Sequence, residues 1–332
     1  MENRSAWGLC RAWGIFAPAL LCLSLGAQND SRAQAFPTRP ITVIYPYAGG
    51  STTEAGARSI SAEAAKILGQ PVVFENRPGA TGRLGLKDLI AARGDAHTLF
   101  WGSDGLMVIQ PIADPDFKLE VGKDYVPISL GIQLYLTLVG RAGLPYRDAK
   151  GMIAYAKANP GKINFAHGGT GSSGHFVSEM LLQSADITAT LIPYKGATPA
   201  LNDLIGGQVD LLFLSASSRP FIDSGKAIGI ASAAKTRIKP FLDIPTFLES
   251  GINVSPSIWF GVIAPGGTAP DVVAKLNAAF NGAQKNPELA RRLEANGYIT
   301  NVGMSAADFA SFIRSEVDAS TPVVRKTGFR LQ

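Results

Sequence analysis

Lys162-Ile163-Asn164-Phe165-Ala166-His167-Gly168-Gly169-Thr170-Gly171-Ser172-Ser173-Gly174-His175 reads as a short strand, a glycine-rich turn and the opening of a helix. Such a turn is a seat for an anion. The first turn of a helix has unpaired N–H groups and carries the positive end of the helix dipole. The small hydroxyls of Thr170, Ser172 and Ser173 are expected to point at the same bound group.

Taken literally, Gly169-Thr170-Gly171-Ser172-Ser173-Gly174 satisfies the G-x-G-x-x-G spacing of a dinucleotide site in its proper strand-to-helix context. That reading also needs an acidic residue for the ribose about 20 residues on, at the end of the next strand. The strand Ile187 to Ile192 instead runs into Pro193-Tyr194-Lys195-Gly196. A cation facing an N–H-lined loop suits a small carboxylate better than a ribose diol. A nucleotide phosphate stays open on this ground alone, as does a tight turn whose glycines serve packing only.

Outward from this stretch, short apolar runs alternate with helical patterns, which argues a parallel α/β architecture. The strand candidates are Ile41 to Tyr45, Val72 to Glu75, Thr98 to Trp101, Leu134 to Val139, Ile163 to Ala166, Thr190 to Ile192, Val209 to Leu214 and Ile228 to Ser232. Their continuity is that of strands buried on both faces. Helices are expected from Glu54 to Leu68, stopped by Gly69 and Pro71, from Pro270 onward, and behind a capping box at Ser305 and Asp308. Ile132 to Val139 and Ile258 to Ala264 are extended apolar segments bounded by Gly or Pro. Two such crossings divide the chain into one lobe of residues 36–135 and 258–332 and another of residues 136–257, with a cleft between them.

Ligands of open α/β sheets bind beyond the carboxyl ends of the strands. The turns there are Pro46-Tyr47-Ala48-Gly49-Gly50-Ser51-Thr52-Thr53, Asn76-Arg77-Pro78-Gly79-Ala80-Thr81-Gly82, Gly102-Ser103-Asp104-Gly105, Gly168 to His175, Tyr194-Lys195-Gly196 and Ser215 to Ser218. Two of them open helices and are rich in hydroxyls. The expected ligand contacts are Tyr47, Gly49, Gly50, Ser51, Thr52 and Ser103 from one lobe. The other lobe supplies Gly169, Thr170, Gly171, Ser172, Ser173, Tyr194, Lys195 and Ser215. Charge-assisted hydrogen bonds of this kind contribute about 1.5 to 3 kcal/mol each. Tyr47, Tyr194 and Trp259 are candidates for apolar walls, and His175 for a contact that caps its helix.

The ends and the composition bound the compartment and the chemistry. Arg4 and Arg11 begin a segment in which Trp13 to Leu25 is apolar and Ala33-Gln34-Ala35 offers small residues for cleavage before Phe36. Residues 1–35 are therefore expected to be a secretory signal peptide, since the apolar stretch is shorter than a spanning helix needs and contains Pro18. Both cysteines, Cys10 and Cys22, lie within it. No thiolate site or disulfide is expected in the rest, and His97, His167 and His175 lack metal-ligand spacing, so neither a metal nor a cofactor is expected. Loss of the leader lowers the net charge from +5 to +4, without any basic block that would call for nucleic acid or a membrane surface.

The motifs Phe36-Pro37-Thr38-Arg39-Pro40-Ile41, Pro46-Tyr47-Ala48-Gly49-Gly50, Glu75-Asn76-Arg77-Pro78-Gly79-Ala80, Gly171-Ser172-Ser173-Gly174-His175, Pro193-Tyr194-Lys195-Gly196, Gly207-Gln208-Val209-Asp210 and Trp259-Phe260-Gly261 resemble, in order and spacing, the Bug-type receptors of tripartite tricarboxylate transporters. The resemblance covers the chain beyond residue 35. It implies a two-lobed periplasmic-binding-protein fold of type II-like form and a monomeric, non-catalytic receptor. Such a receptor carries a small organic acid (a di- or tricarboxylate, an aromatic acid or a related solute) to integral membrane transporter subunits.

The chain departs from that family's pattern twice. Glu54 stands where the family usually has Asp, and Leu214-Ser215 where it often has Asp, which bears on the solute and not on the fold. The alternative is an exported hydrolase using Ser172 or Ser173 with His167 or His175 nearby, although no G-x-S-x-G elbow is present. A cytosolic dinucleotide oxidoreductase would need an acid at Lys195 and no leader.

Overall fold

The computed structural model describes residues 36–256, 258–300 and 302–327. The expected leader and its two cysteines lie outside them. The strands are β1 (Ile41–Tyr45), β2 (Val72–Asn76), β3 (Thr98–Ser103), β4 (Tyr125–Leu134), β5 (Thr137–Arg141), β6 (Asn164–His167), β7 (Thr190–Pro193), β8 (Leu211–Leu214), β9 (Ala227–Ser232), β10 (Ile258–Pro265) and β11 (Ile299–Thr300). The α-helices are α1 (Thr52–Leu68), α2 (Arg83–Ala91), α3 (Gln110–Ala113), α4 (Ala149–Ala158), α5 (Ser173–Ala185), α6 (Ala197–Ile205), α7 (Arg219–Asp223), α8 (Pro270–Gln284), α9 (Pro287–Ala295) and α10 (Ala306–Thr327).

Two sheets organise these elements. The first has six strands in the order β11-β4-β10-β3-β1-β2, and the second has five in the order β7-β6-β8-β5-β9. Parallel pairing holds for β1 with β2 and β3, and for β6 with β7 and β8. The expectation of a parallel architecture needs correction beyond these, because β10 runs antiparallel to β3 and β4, and β5 runs antiparallel to β8 and β9. Antiparallel partners arise where the chain changes sheets: Leu134 ends β4 in the first sheet and Thr137 begins β5 in the second. The chain returns to the first sheet at β10, which pairs with β4 from Ile258 opposite Leu134 to Pro265 opposite Tyr125.

Burial follows the apolar pattern. On α1 the residues Ile60, Ala64 and Leu68 face inward, while Ile67 is 54% exposed. One continuous apolar cluster joins Ile41, Val43 and Trp101 of the first sheet to Phe165, Phe213 and Ile230 of the second. Another lies beneath α10, where Trp259 meets Phe309 and Phe312 edge-on at 5.5 and 5.9 Å between ring centres. Phe176 of α5 joins that second cluster, so apolar packing as well as polar contact crosses between the two halves. Of the expected capping box of α10 the first half is formed, Ser305 Oγ accepting from the Asp308 N–H at 3.0 Å, while the Asp308 carboxylate takes the Ser305 hydroxyl at 2.7 Å in place of the backbone N–H. Among the described residues no helix is long and apolar enough to cross a membrane, and no cluster of three metal-ligating side chains occurs.

Candidate functional site

The turns after β2 and β3 in the first half face the loop after β6 in the second, and the loop after β1 faces Ser215 after β8. Ser51 caps α1, its Oγ accepting from the Glu54 N–H at 3.0 Å. Glu54 is only 5% exposed and turns back on its own loop. One carboxylate oxygen accepts from the Gly50 N–H at 2.7 Å, and the other from Arg58 Nε at 2.8 Å and Asn76 Nδ2 at 3.1 Å. Asn76 Nδ2 also reaches the Tyr47 carbonyl at 3.1 Å. Burial alone would raise the pKa of Glu54, but the bonds from Arg58, Gly50 and Asn76 outweigh it and hold the pKa below the usual carboxylate value.

Glu54 therefore braces the loop, and the Gly50 N–H, expected as a ligand donor, is committed to it. Glu54→Ala is expected to destabilise the protein by about 2 kcal/mol, because it removes the acceptor of three donors at once and leaves the Gly50 N–H without its partner. Urea unfolding measures the loss, and hydrogen exchange at Gly50 should accelerate with it.

Tyr47 lies half-buried between Tyr45 and Phe260, with edge-on ring contacts at 5.5 and 6.4 Å. Its hydroxyl meets Ser103 Oγ at 2.6 Å, and that oxygen also accepts from the Leu106 N–H at 3.3 Å. Burial pushes the Tyr47 phenol above its ordinary value, which keeps it a neutral hydrogen-bonding group.

In the second half, the loop after β6 needs glycine at 169. Its φ is +121°, and a Cβ there would lie 3.2 Å from the Tyr194 carbonyl oxygen. Ser172 caps α5, its Oγ accepting from the His175 N–H at 3.2 Å. His175 returns the contact, Nδ1 accepting from the Gly171 N–H at 3.2 Å, so it does act as a cap on its own loop. Its ring stacks on His167 at 4.0 Å with 7° between the planes. Burial first, and the neighbouring His167 second, push the His175 pKa down to about 3.

The hydroxyls of this loop do not converge on one point as the sequence suggested. Ser172 is used in capping, and Ser173 Oγ donates across the seam to Asp104 Oδ1 at 2.6 Å. A serine nucleophile would instead hand its proton to a histidine ring. Among the described hydrogen bonds, that of the Ser173 hydroxyl runs to a carboxylate, and His175 Nδ1 takes a backbone N–H.

Among the described residues, three side-chain hydrogen bonds tie the halves together. Besides Ser173 to Asp104, Thr81 Oγ1 donates to the Thr170 carbonyl at 3.1 Å, and Thr52 Oγ1 lies 3.3 Å from Ser215 Oγ. At Gly105 the two backbones touch: an added Cβ would lie 3.1 Å from both Gly171 O and Ser173 N. Thr52, Ser103, Thr170, Gly171, Ser173 and Ser215 are thus brought to one seam, either directly or through an adjacent residue. Tyr194 points its hydroxyl to Asp203 at 2.7 Å, and Lys195 is exposed. Trp259, considered as a cleft wall, is wholly buried in the core under α10.

Sequence reasoning passed over Asp104 and Thr81 as contacts, although both stood in quoted strand-end turns. Asp104 is 4% exposed, and burial foremost raises its pKa to about 7 against the lowering effect of the Ser173 hydrogen bond.

Comparison with known proteins places this geometry among relatives. Residues 56–329 match the model of the tripartite tricarboxylate transporter family receptor. Protein BugT of Bordetella pertussis is 33% identical over 304 residues, covering 90% of this chain and 93% of that protein. A UPF0065 protein from the tcbD-tcbE intergenic region of Pseudomonas sp. strain P51 is 34% identical over 92% of this chain and 91% of its own length. The structure of the periplasmic binding protein BugD superposes with a TM-score of 0.83 at 29% identity, over 90% of this chain and all of that one. MatC from Rhodopseudomonas palustris with bound malate gives 0.81 at 32% identity, over 87% of this chain and all of that one. An R. palustris protein with adipate gives 0.83 at 26% identity, over 89% and 99%. The likeness to these proteins establishes the two-lobed periplasmic-binding-protein fold.

Proposed function

The chain belongs to the tripartite tricarboxylate transporter family of receptors, and from that premise we propose that it is an exported receptor that closes its two lobes over a small organic carboxylate and presents it to transporter subunits in the membrane. The observation that carries this reading is the seam itself. Hydroxyls and backbone N–H groups at strand and helix ends of both halves meet there, tied by Ser173–Asp104, Thr81–Thr170 and Thr52–Ser215. Malate in MatC and adipate in the second R. palustris protein support an acid as the solute. The groups we assign to it are those of the Gly49–Thr52 and Gly169–Ser173 loops that the free protein does not already commit, which sets aside the Gly50 and Gly171 N–H groups and the Ser173 hydroxyl, with Tyr47, Ser103, Tyr194, Lys195 and Ser215 around them.

In this reading one lobe comprises residues 36–135 with 258–332 and the other residues 136–257, a division supported by the sheet change after β4 and the return at β10. Residues 1–35 serve as a cleaved leader to the periplasm, where the receptor works as a monomer. Binding to the closed form shifts the population toward it, because the solute touches both lobes.

A thermal-shift screen of the purified chain beginning at Phe36, over mono-, di- and tricarboxylates and aromatic acids, tests the proposal. A true solute at 100 times its Kd stabilises the folded state by about 2.7 kcal/mol and is expected to raise Tm by about 5 °C or more. Uniform failure of all acid classes to move Tm would sink the reading.

A further inference from the structure

Asp104 follows β3 at the seam, and among the described residues it makes no salt bridge. Its carboxyl accepts from Ser173 Oγ of the opposite lobe at 2.6 Å, and the nearby backbone of Gly105 and Trp259 also favours its charged form. The charged groups around it come from several elements. Tyr47 approaches from the loop after β1, and Glu316 from α10 adds a like charge. Beyond Ser173, α5 carries His175, kept neutral by burial, and Glu179, whose pKa burial raises. Stacked on His175 is His167, whose pKa burial lowers. Glu316 is itself raised by burial and partly offset by Lys235. Among the described residues no lysine or arginine pairs with Asp104.

We propose that Asp104 is a specificity-determining residue of the receptor: its carboxyl shares the Ser173 end of the anion loop with the solute, so that a carboxylate solute binds together with one proton. The inference rests on the receptor reading above. Two ionised carboxylates at one dry helix start repel each other, with no cation to compensate. Protonated, Asp104 loses its charge and gains an O–H donor, and the pair becomes one acid and one carboxylate. The proton comes from solvent and stays on the Asp104 carboxyl while the solute is bound. The position of Asp104, which already leans toward the protonated form in the free protein, agrees with this.

The test is calorimetric titration of the full mature chain with malate and with adipate from pH 6 to 8.5. Solute carboxyls titrate near pH 4, so both acids are essentially fully ionised over most of this range. Affinity is expected to hold steady at the acid end and to fall by up to about tenfold per pH unit above pH 7. At pH 8, heats measured in phosphate and in Tris should differ by the amount that uptake of about one proton requires.

Asp104→Asn should flatten the pH profile and remove the buffer dependence. Glu316→Gln, on α10, should move the break in the profile to lower pH, which keeps the proposal testable if Asp104→Asn does not fold. A wild-type profile that is flat, or a wild-type slope that persists in Asp104→Asn, overturns the proposal and leaves the receptor reading standing. If neither acid binds the wild type at any pH, the receptor reading fails for these dicarboxylates and the proposal falls with it.

Discussion

Gly105→Val is expected to weaken solute binding by about 100-fold or more, while costing the unliganded protein no more stability than the contacts across the seam contribute. The three nearest atoms to a Cβ at position 105 are Gly171 O, Ser173 N and Ser173 Oγ, all in the opposite lobe. Gly105 has no left-handed φ, so glycine serves close approach there and not backbone conformation. It opens a helical turn, Gly105–Ile109, where a valine costs no more than glycine does. The branched side chain would reach past the Cβ into the second-lobe loop and hold the lobes apart. On the proposed reading, in which the solute touches both lobes, a closed state made rare lowers the apparent affinity in the same proportion. Calorimetry against malate and adipate, paired with thermal unfolding of the free protein, checks both halves of the expectation. Affinity within about threefold of wild type would refute it.

The second large effect is a loss of stability in acid traceable to His175. Its folded pKa of about 3 lies below the unfolded value of about 6.5. A base with a depressed pKa is held neutral by the fold, so its contribution is complete above pH 6.5. It drains away as the pH falls toward 3, because the unfolded chain takes up a proton that the folded chain refuses. The full window corresponds to a figure on the order of 4 kcal/mol.

The geometry gives the same answer as the titration. Nδ1 accepts the Gly171 N–H, and a proton there would set two donors against each other. His175→Asn retains an acceptor near that place and does not titrate. Urea unfolding at pH 7, 5.5 and 4.5 should show the variant less stable than wild type at neutrality, with the gap closing in acid. Asp104 works in the opposite sense, since its raised pKa makes its contribution fall as the pH rises from about 4 to about 7, so the difference between variant and wild type is the quantity to read. A gap that stays constant with pH would remove His175 from the acid response.

Much of the architecture was legible because burial on both faces leaves continuous apolar runs. Ile41 to Tyr45 is the first strand to the residue, and Thr190 to Ile192 falls one residue short of β7. The N-terminal part of β4 escaped notice because Pro127 and Gly131 interrupt its apolar pattern. Val209 to Leu214 overshot β8 by two residues at its start. The antiparallel course of β10 could not be read locally, since strand direction is settled by partners more than a hundred residues away. The site divides in the same way. Ser51, Ser172 and the glycines around them announced two helix starts, but their hydroxyls were already spent on Glu54 and His175. Asp104 remained silent because its partner, Ser173, is 69 residues away in sequence.

The two strands that carry the chain between sheets are hydrogen-bonded to each other up to the crossing, Leu134 opposite Ile258. Only Tyr135 and Leu136 separate that pair from β5, and Leu136 is itself held by the Ala233 N–H at 2.8 Å. A ribbon laced in this way bends far more easily than its strands can slide or turn independently. On the proposed reading, opening and closing is thereby reduced to nearly one angle, and a membrane partner gripping both lobes would read occupancy as a single lever position.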